Sequence, residues 1–464
     1  MWGELRKSTR ELRCTESDCL SRQNHQVASE KLGEECFSCD ACVEENKGYK
    51  CNCSIKDQKN ISHGLDDRAN SSFAHSVVNM IAMLLGLGQL STPYVIENGG
   101  WASAFLLFGL GVTCTYTSYL LGKCLEKNPN LRSYTDIGHD AFGRKGKILA
   151  ATFIYMEIFM ALVSYTISLH DNIGMVFSGM QIRLPWLKLS TPQMLTMIAV
   201  LIILPSLWLR DLSAISFLSS GGILMSAVIL TSVASTAIFG GVKTNHRIPV
   251  INFRKIPAIT GLYIFGYTGH IVFPNLYKSM KDPSKFVKVS IVSFASVTAL
   301  YAALGFLGAN MFGSQVNSQI TLSLPRHLIV TKIALWATVL APMTKYALEF
   351  APFAIHLEHS LPSSISSRTK MMIRSTVGSI LLLLILALAL SVPYFEHVLS
   401  LTGSLVSVST CVIMPCVFYT RISWSKISRP ILILNTTLVA FVAFLGAVGT
   451  VSSSKALVKS IVGH

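Results

Sequence analysis

Three ionisable side chains stand inside stretches that are otherwise apolar: Glu157, His270 and Glu349. Charge at membrane depth is costly and is usually kept for function. An imidazole, with an ordinary pKa of about 6.5, and a carboxyl can each take up and release a proton, so the chemistry on offer is a proton relay. Each residue also has a structural reading. Glu157 can be a hydrogen-bonded tie between helices, and His270 a neutral core histidine giving its N–H to a carbonyl. Glu349 follows Lys345 by four residues, which suits an ion pair along one helix.

The second kind of chemistry is that of the backbone. The apolar stretch 73–96 contains Gly86-Leu87-Gly88-Gln89-Leu90-Ser91-Thr92-Pro93. Glycine leaves the chain unrestricted and proline removes a donor and clashes with the preceding turn, so this is poor material for a continuous helix. In lipid a broken helix is tolerated only where its freed groups face protein or water. A similar stretch, Phe265-Gly266-Tyr267-Thr268-Gly269-His270, occurs much later. The two breaks are expected to face each other. A helix start after Leu90 would turn free N–H groups toward a carboxylate, and carbonyls near Phe265 and Gly266 would suit an ammonium. Together they fit an α-amino acid. The candidate substrate contacts are Gly86, Leu87, Gly88, Gln89, Leu90, Ser91, Phe265, Gly266 and Tyr267, with Tyr165, or its neighbour Tyr155, as hydroxyl donor. The same glycines can instead serve helix packing. Sodium would need break carbonyls plus a hydroxyl such as Thr338 or Thr344.

These groups need helices that cross a membrane to hold them. The 464 residues are 51% hydrophobic and only 14% charged. Apolar runs of about 20 residues recur, the length a hydrocarbon core demands. Eleven spans are expected, at 73–97, 101–122, 148–177, 191–209, 213–240, 257–279, 286–311, 329–354, 372–392, 396–420 and 430–451. The ninth is uniformly aliphatic and is expected to face lipid. Breaks in spans 1 and 6 sit at matching places of two five-helix halves, 73–240 and 257–420, with 430–451 as an extra helix. Five is odd, so the second half is inverted. Interrupted segments at matching positions are the best sequence pointer to a transporter site, in the manner known from LeuT.

Net charge is +15, all of it from beyond residue 71. The basic residues cluster in alternate loops: Lys123, Lys127, Arg132 and Arg144 after span 2, Lys278, Lys281 and Lys285 after span 6, Arg368 and Lys370 after span 8, and Arg421 and Lys426 after span 10. That pattern reports cytosolic loops, not nucleic acid, and it puts the N-terminus in the cytosol and the C-terminus in a lumen. The 241–256 loop, with Lys243, Arg247, Arg254 and Lys255, dissents.

Residues 1–71 read as a polar, largely disordered cytosolic tail without the apolar segment of a signal peptide. Seven of the eleven cysteines lie there, among them Cys36, Cys39, Cys42, Cys51 and Cys53. Their spacing is not that of a common zinc finger, and reactive thiols without metal are expected. Asn60 and Asn70 match the glycosylation pattern but fall on the cytosolic side. No hydrolase elbow, phosphate loop or metal-ligand helix pair is present in the membrane part, so neither catalysis nor a cofactor is expected, and no metal.

Longer motifs carry a resemblance. Ser72-Phe-Ala-His-Ser-Val-Val-Asn79, then Gly86 through Tyr94, then Glu97-Asn-Gly-Gly-Trp101, resemble the amino acid/auxin permease family. Arg132-Ser-Tyr-Thr-Asp-Ile-Gly138, Leu207-Trp-Leu-Arg-Asp-Leu212 and Gly269-His-Ile-Val-Phe-Pro-Asn275 extend the likeness. Its plant vacuolar branch, near the vesicular inhibitory amino acid transporters, is the most similar. The resemblance implies eleven helices in an inverted-repeat fold and amino acid transport, usually proton-coupled, at the vacuolar membrane. By position it also implies backbone contacts to substrate at Gly86–Leu90 and Phe265–Tyr267. No lysine occupies the depth of span 5 at which some proton-coupled relatives hold one. The expected protein is thus a monomeric, proton-driven amino acid transporter. Two rivals remain: an amino acid-sensing receptor signalling through its tail, and an auxin or organic-anion carrier on the same fold.

Overall fold

A computed structural model describes residues 42–45, 48–51, 71–181, 189–208, 212–242, 248–362 and 365–463. The chain divides into a unit of residues 1–68 and one of residues 69–464. In the first, β1 (Cys42–Glu45) pairs antiparallel with β2 (Gly48–Cys51), placing Cys42 opposite Cys51 in register. Most of the tail cysteines, together with Asn60 and Asn70, lie outside the described residues.

The second unit is helical. It begins with α1 (Phe73–Leu84) and α2 (Gly88–Gly99), which meet at a bend of 59°. Then follow α3 (Ser103–Lys127), α4 (Tyr134–Val176), α5 (Thr191–Ile203) and α6 (Leu212–Phe239). The chain continues through α7 (Ile256–Gly266), a single 3-10 turn at His270–Val272 and α8 (Phe273–Ser279). The remainder comprises α9 (Phe286–Phe312), α10 (Ile329–Ser360), α11 (Ser367–Ser391), α12 (Phe395–Thr402), α13 (Met414–Ile422) and α14 (Arg429–Val462). Among the described residues eight helical stretches are long and apolar enough to cross a membrane, nine with the bent α1–α2 pair.

Several boundaries differ from expectation for local reasons. The helix expected from residue 148 starts at Tyr134, because Ser133 and Asp136 form a reciprocal capping box that nucleates it early. Gly143, at φ +61°, then kinks it before the apolar part. The fourth expected span is short: α5 ends at Ile203, and Pro205 lies in a 3-10 turn at Leu204–Trp208. Between α12 and α13 the backbone widens into π-helical turns at Gly403–Ser407 and Ser409–Ile413. There a Cβ on Gly403 would stand 1.8 Å from the Gly261 carbonyl oxygen, so only glycine lets this segment lie against α7. The aliphatic ninth stretch is two-faced: in α11, Leu383 and Leu384 are exposed while Leu382, Ile385 and Leu386 are buried. One face therefore meets protein.

Candidate functional site

The first break is built from its sequence. Leu85 is extended and gives its N–H back to Ile81, which ends α1. Leu87 opens α2 without any side-chain cap; the N–H groups of Gln89 and Leu90 turn back to the Gly86 and Leu87 carbonyls at 3.3 and 3.0 Å, so the open donors are those that precede Gln89. Pro93, inside α2, cannot supply an N–H to the carbonyl of Gln89. Thr92 Oγ1 does so in its place at 2.9 Å, and Ser91 Oγ donates to the Gly88 carbonyl at 3.1 Å. The hydroxyl expected of Ser91 is thus spent on its own helix. Gln89 is buried and its Nε2 donates to Ser226 Oγ of α6 at 3.1 Å. Leu87 and Leu90 are buried among core side chains.

At the second break α7 stops at Gly266, and the N–H of Thr268 returns to the Phe265 carbonyl at 3.1 Å. The two breaks lie directly against each other. A Cβ on Gly88 would stand 2.4 Å from Gly266 Cα, closer than side chains tolerate. A third element ties them: Tyr301 Oη on α9 lies 2.8 Å from the Leu84 carbonyl and 3.0 Å from that of Gly266, its one hydrogen shared between the carbonyls freed on both sides. Tyr267, by contrast, turns its hydroxyl to Thr298 Oγ1 at 2.7 Å and to the Leu107 carbonyl at 3.2 Å. Its side chain holds the wall in place, whatever its backbone does.

Gly86 faces a polar group on each side. A Cβ there would lie 3.6 Å from Tyr165 Oη of α4 and 3.8 Å from Lys345 Nζ of α10. Lys345 Nζ in turn donates to the Leu85 carbonyl. Among the described residues Lys345 forms no ion pair. The expected Lys345–Glu349 pair is therefore corrected: the carbonyl of an interrupted helix takes the ammonium, and Glu349 is left half-buried one turn further along α10. Sequence reading treated Lys345 only as a partner for Glu349. Its isolation in an apolar run was the signal that could have marked it. Tyr301 carried no such signal, since a tyrosine in an apolar helix is ordinary.

Glu157 of α4 is 3% exposed, and neither carboxylate oxygen has a hydrogen-bond partner. Its neighbours are the hydroxyl residues Thr410, in the π-helical segment, and Thr268, at the second break. A buried carboxyl without a fixed partner is rare, because desolvation is then uncompensated. His270 is fully buried: its Nε2 lies 3.0 Å from Thr117 Oγ1 and 3.1 Å from the Cys114 carbonyl, and its ring packs 4.8 Å from that of Phe273. Nδ1 has no partner. The Cys114 carbonyl fixes the proton on Nε2, so His270 fits its structural reading well. The Tyr155 ring meets that of Phe353 edge to face, with centroids 5.6 Å apart. Glu157 lies beside the break through Thr268, while Glu349 shares a helix with Lys345.

Comparison with known proteins agrees with this architecture. Residues 69–458 match the family model of the transmembrane amino acid transporter proteins, and the chain belongs to that family. It is 59% identical over 427 residues to amino acid transporter AVT1H of Arabidopsis thaliana, covering 91% of this chain and 98% of that one. Amino acid transporter AVT1E of the same plant is 37% identical over 363 residues, 78% of this chain and 69% of the relative. The vesicular GABA transporter of Caenorhabditis elegans is 26% identical over 361 residues, 74% and 71% of the two chains. Among solved structures, MhsT in complex with L-phenylalanine superposes with a TM-score of 0.51 at 13% identity, over 82% of this chain and 98% of that one, which establishes a shared fold. The protein is thus a multi-pass membrane protein of an amino acid transporter family, with a LeuT-like fold.

Proposed function

We propose that the protein is a proton-coupled secondary transporter of amino acids at the vacuolar membrane, working by alternating access around the two breaks. The observation that carries this reading is the direct apposition of Gly88 and Gly266 beside the uncapped start of α2. A substrate carboxylate sits at the Gly86–Leu90 backbone, where the positive end of the helix dipole and the N–H groups that precede Gln89 favour an anion, with Tyr165 Oη alongside. The substrate ammonium faces the carbonyls around Phe265–Tyr267. Glu157 takes the coupling proton: its unpaired carboxyl lies next to Thr268, so a proton gained or lost there is felt by the second break. Glu349 stands as a further carrier behind it, and His270 keeps a structural role.

The eleven-span reading, with inverted halves 73–240 and 257–420 and an extra helix at 430–451, belongs to the same proposal. So do the cytosolic N-terminal tail, the lumenal C-terminus and the monomeric state. Access alternates as the two broken spans and the span after each rock against the rest. The names of the Arabidopsis relatives support amino acids as cargo. The test is counterflow of labelled amino acids in proteoliposomes, with and without a pH gradient. Exchange plus gradient-driven accumulation is expected. Failure to exchange any amino acid would overturn the reading.

A further inference from the structure

The C-terminal end of α1 is a seat for a positive charge. Carbonyls there have lost their helical partners, and the dipole makes that end negative. In transporters built on broken helices, such carbonyls are where a coupling sodium binds. Here the seat is taken by the chain itself, because Lys345 Nζ donates to the Leu85 carbonyl. The lysine is 6% exposed, and among the described residues no carboxylate lies within salt-bridge distance of it; Glu349, one turn along α10, acts on it only through its charge.

Its delivery depends on a glycine. A Cβ on Gly222 of α6 would stand 2.9 Å from Lys345 Cε and 3.5 Å from its Cγ, so a larger residue would collide with the lysine stem. The hydroxyls considered for a sodium shell turn their hydrogens to their own helix, and neither is recorded against the Leu85 carbonyl that the ammonium meets. Thr338 Oγ1 donates to the Ala334 carbonyl and Thr344 Oγ1 to that of Ala341, each at 2.9 Å and each within α10.

We propose that Lys345 is the resident cation of the first break. As a positioning residue it holds the end of α1 to α10 as a bound metal cation would, so sodium has no seat and transport runs without it. The inference rests on the amino acid transport reading and fixes the class of ion that cannot drive it. A cation fixed to α10 never exchanges with solution. The tie between α1 and α10 then breaks and reforms as the helices move, and the driving gradient is read elsewhere.

The experiment uses the full chain in proteoliposomes at fixed pH, with counterflow of a labelled amino acid mixture measured in sodium, potassium or choline salts. Wild type is expected to exchange at the same rate in all three. Lys345→Ala is expected to be at least about tenfold slower in choline, as the loss of a charge-assisted bond to a buried carbonyl implies. Sodium or methylammonium entering the vacated seat should restore it several-fold, a response that mere loss of packing would not give.

Wild-type exchange stimulated several-fold by sodium overturns the inference and leaves the transport reading intact. Lys345→Ala exchanging at the wild-type rate in choline does the same. So does a variant that is monodisperse yet inert in every cation. A wild type that exchanges no amino acid defeats the transport reading, and the inference with it. Should Lys345→Ala fail to fold, Gly222→Ala, which displaces the ammonium without removing its charge, decides. A gain of sodium stimulation is expected of it, and sodium indifference at the wild-type rate overturns the inference.

Discussion

Glu157 and His270 look alike in the sequence, each a polar residue in an apolar helix, yet their surroundings separate them. His270 has its Nε2 engaged by Thr117 and Cys114 and its ring packed on Phe273, which is how a structural histidine is held. His270→Ala should lower stability by about 2–4 kcal/mol through the lost bond and the cavity left behind. A fall in melting temperature in detergent, with gradient-driven accumulation preserved in the folded fraction, would bear this out. Abolished accumulation at unchanged stability would return His270 to the proton path. Glu157 has no such ties. Glu157→Gln keeps the shape and removes the proton, so counterflow should persist while accumulation driven by a pH gradient falls at least about tenfold. Gradient-driven accumulation at the wild-type level in that variant would remove Glu157 from the mechanism.

At the scale of elements, the two breaks form one structure. Gly88 and Gly266 touch, and the Tyr301 hydroxyl is shared between a carbonyl of each. Even a methyl group on Gly88 must push the segments apart. Gly88→Val is expected to reach the membrane normally and to lose transport by at least about a hundredfold, because displacement of a binding site by an ångström is costly. Uptake by this variant at the wild-type rate would refute the site. Tyr301→Phe removes only the hydroxyl and leaves two buried carbonyls short of a donor, for which about 1–3 kcal/mol of stability should be lost. Thermal denaturation of the purified protein measures it. The same reasoning explains Thr92, whose hydroxyl stands in for the N–H that Pro93 lacks. A helix can carry a proline in mid-membrane when a neighbouring hydroxyl satisfies the orphaned carbonyl.

At the scale of the molecule, the tail and the membrane part are separate units. A transporter whose machinery lies within residues 69–464 should keep its flux when residues 1–68 are removed. Counterflow by the truncated protein at close to the full-length rate is expected. Loss of flux on truncation, with the membrane part still folded, would favour the rival reading of a receptor that works through its tail.

Much of this protein was legible in its sequence. Apolar run length declared a polytopic helical membrane protein, and the Gly–Gly–Pro pattern at 86–93 located the first break, because backbone freedom and a missing N–H are properties of the residues themselves. Family membership was equally legible, through long motifs around residues 72–101 and 269–275. The tertiary structure alone decided the partners. Ser91 and Thr92 face their own helix, Tyr267 braces a wall, and Lys345 gives its hydrogen bond to a carbonyl 260 positions earlier in the chain and closes no salt bridge with Glu349. A side chain four residues away is a neighbour by helical geometry. Which group wins a buried ammonium depends instead on where α10, α6 and the end of α1 pack, and no local pattern encodes that.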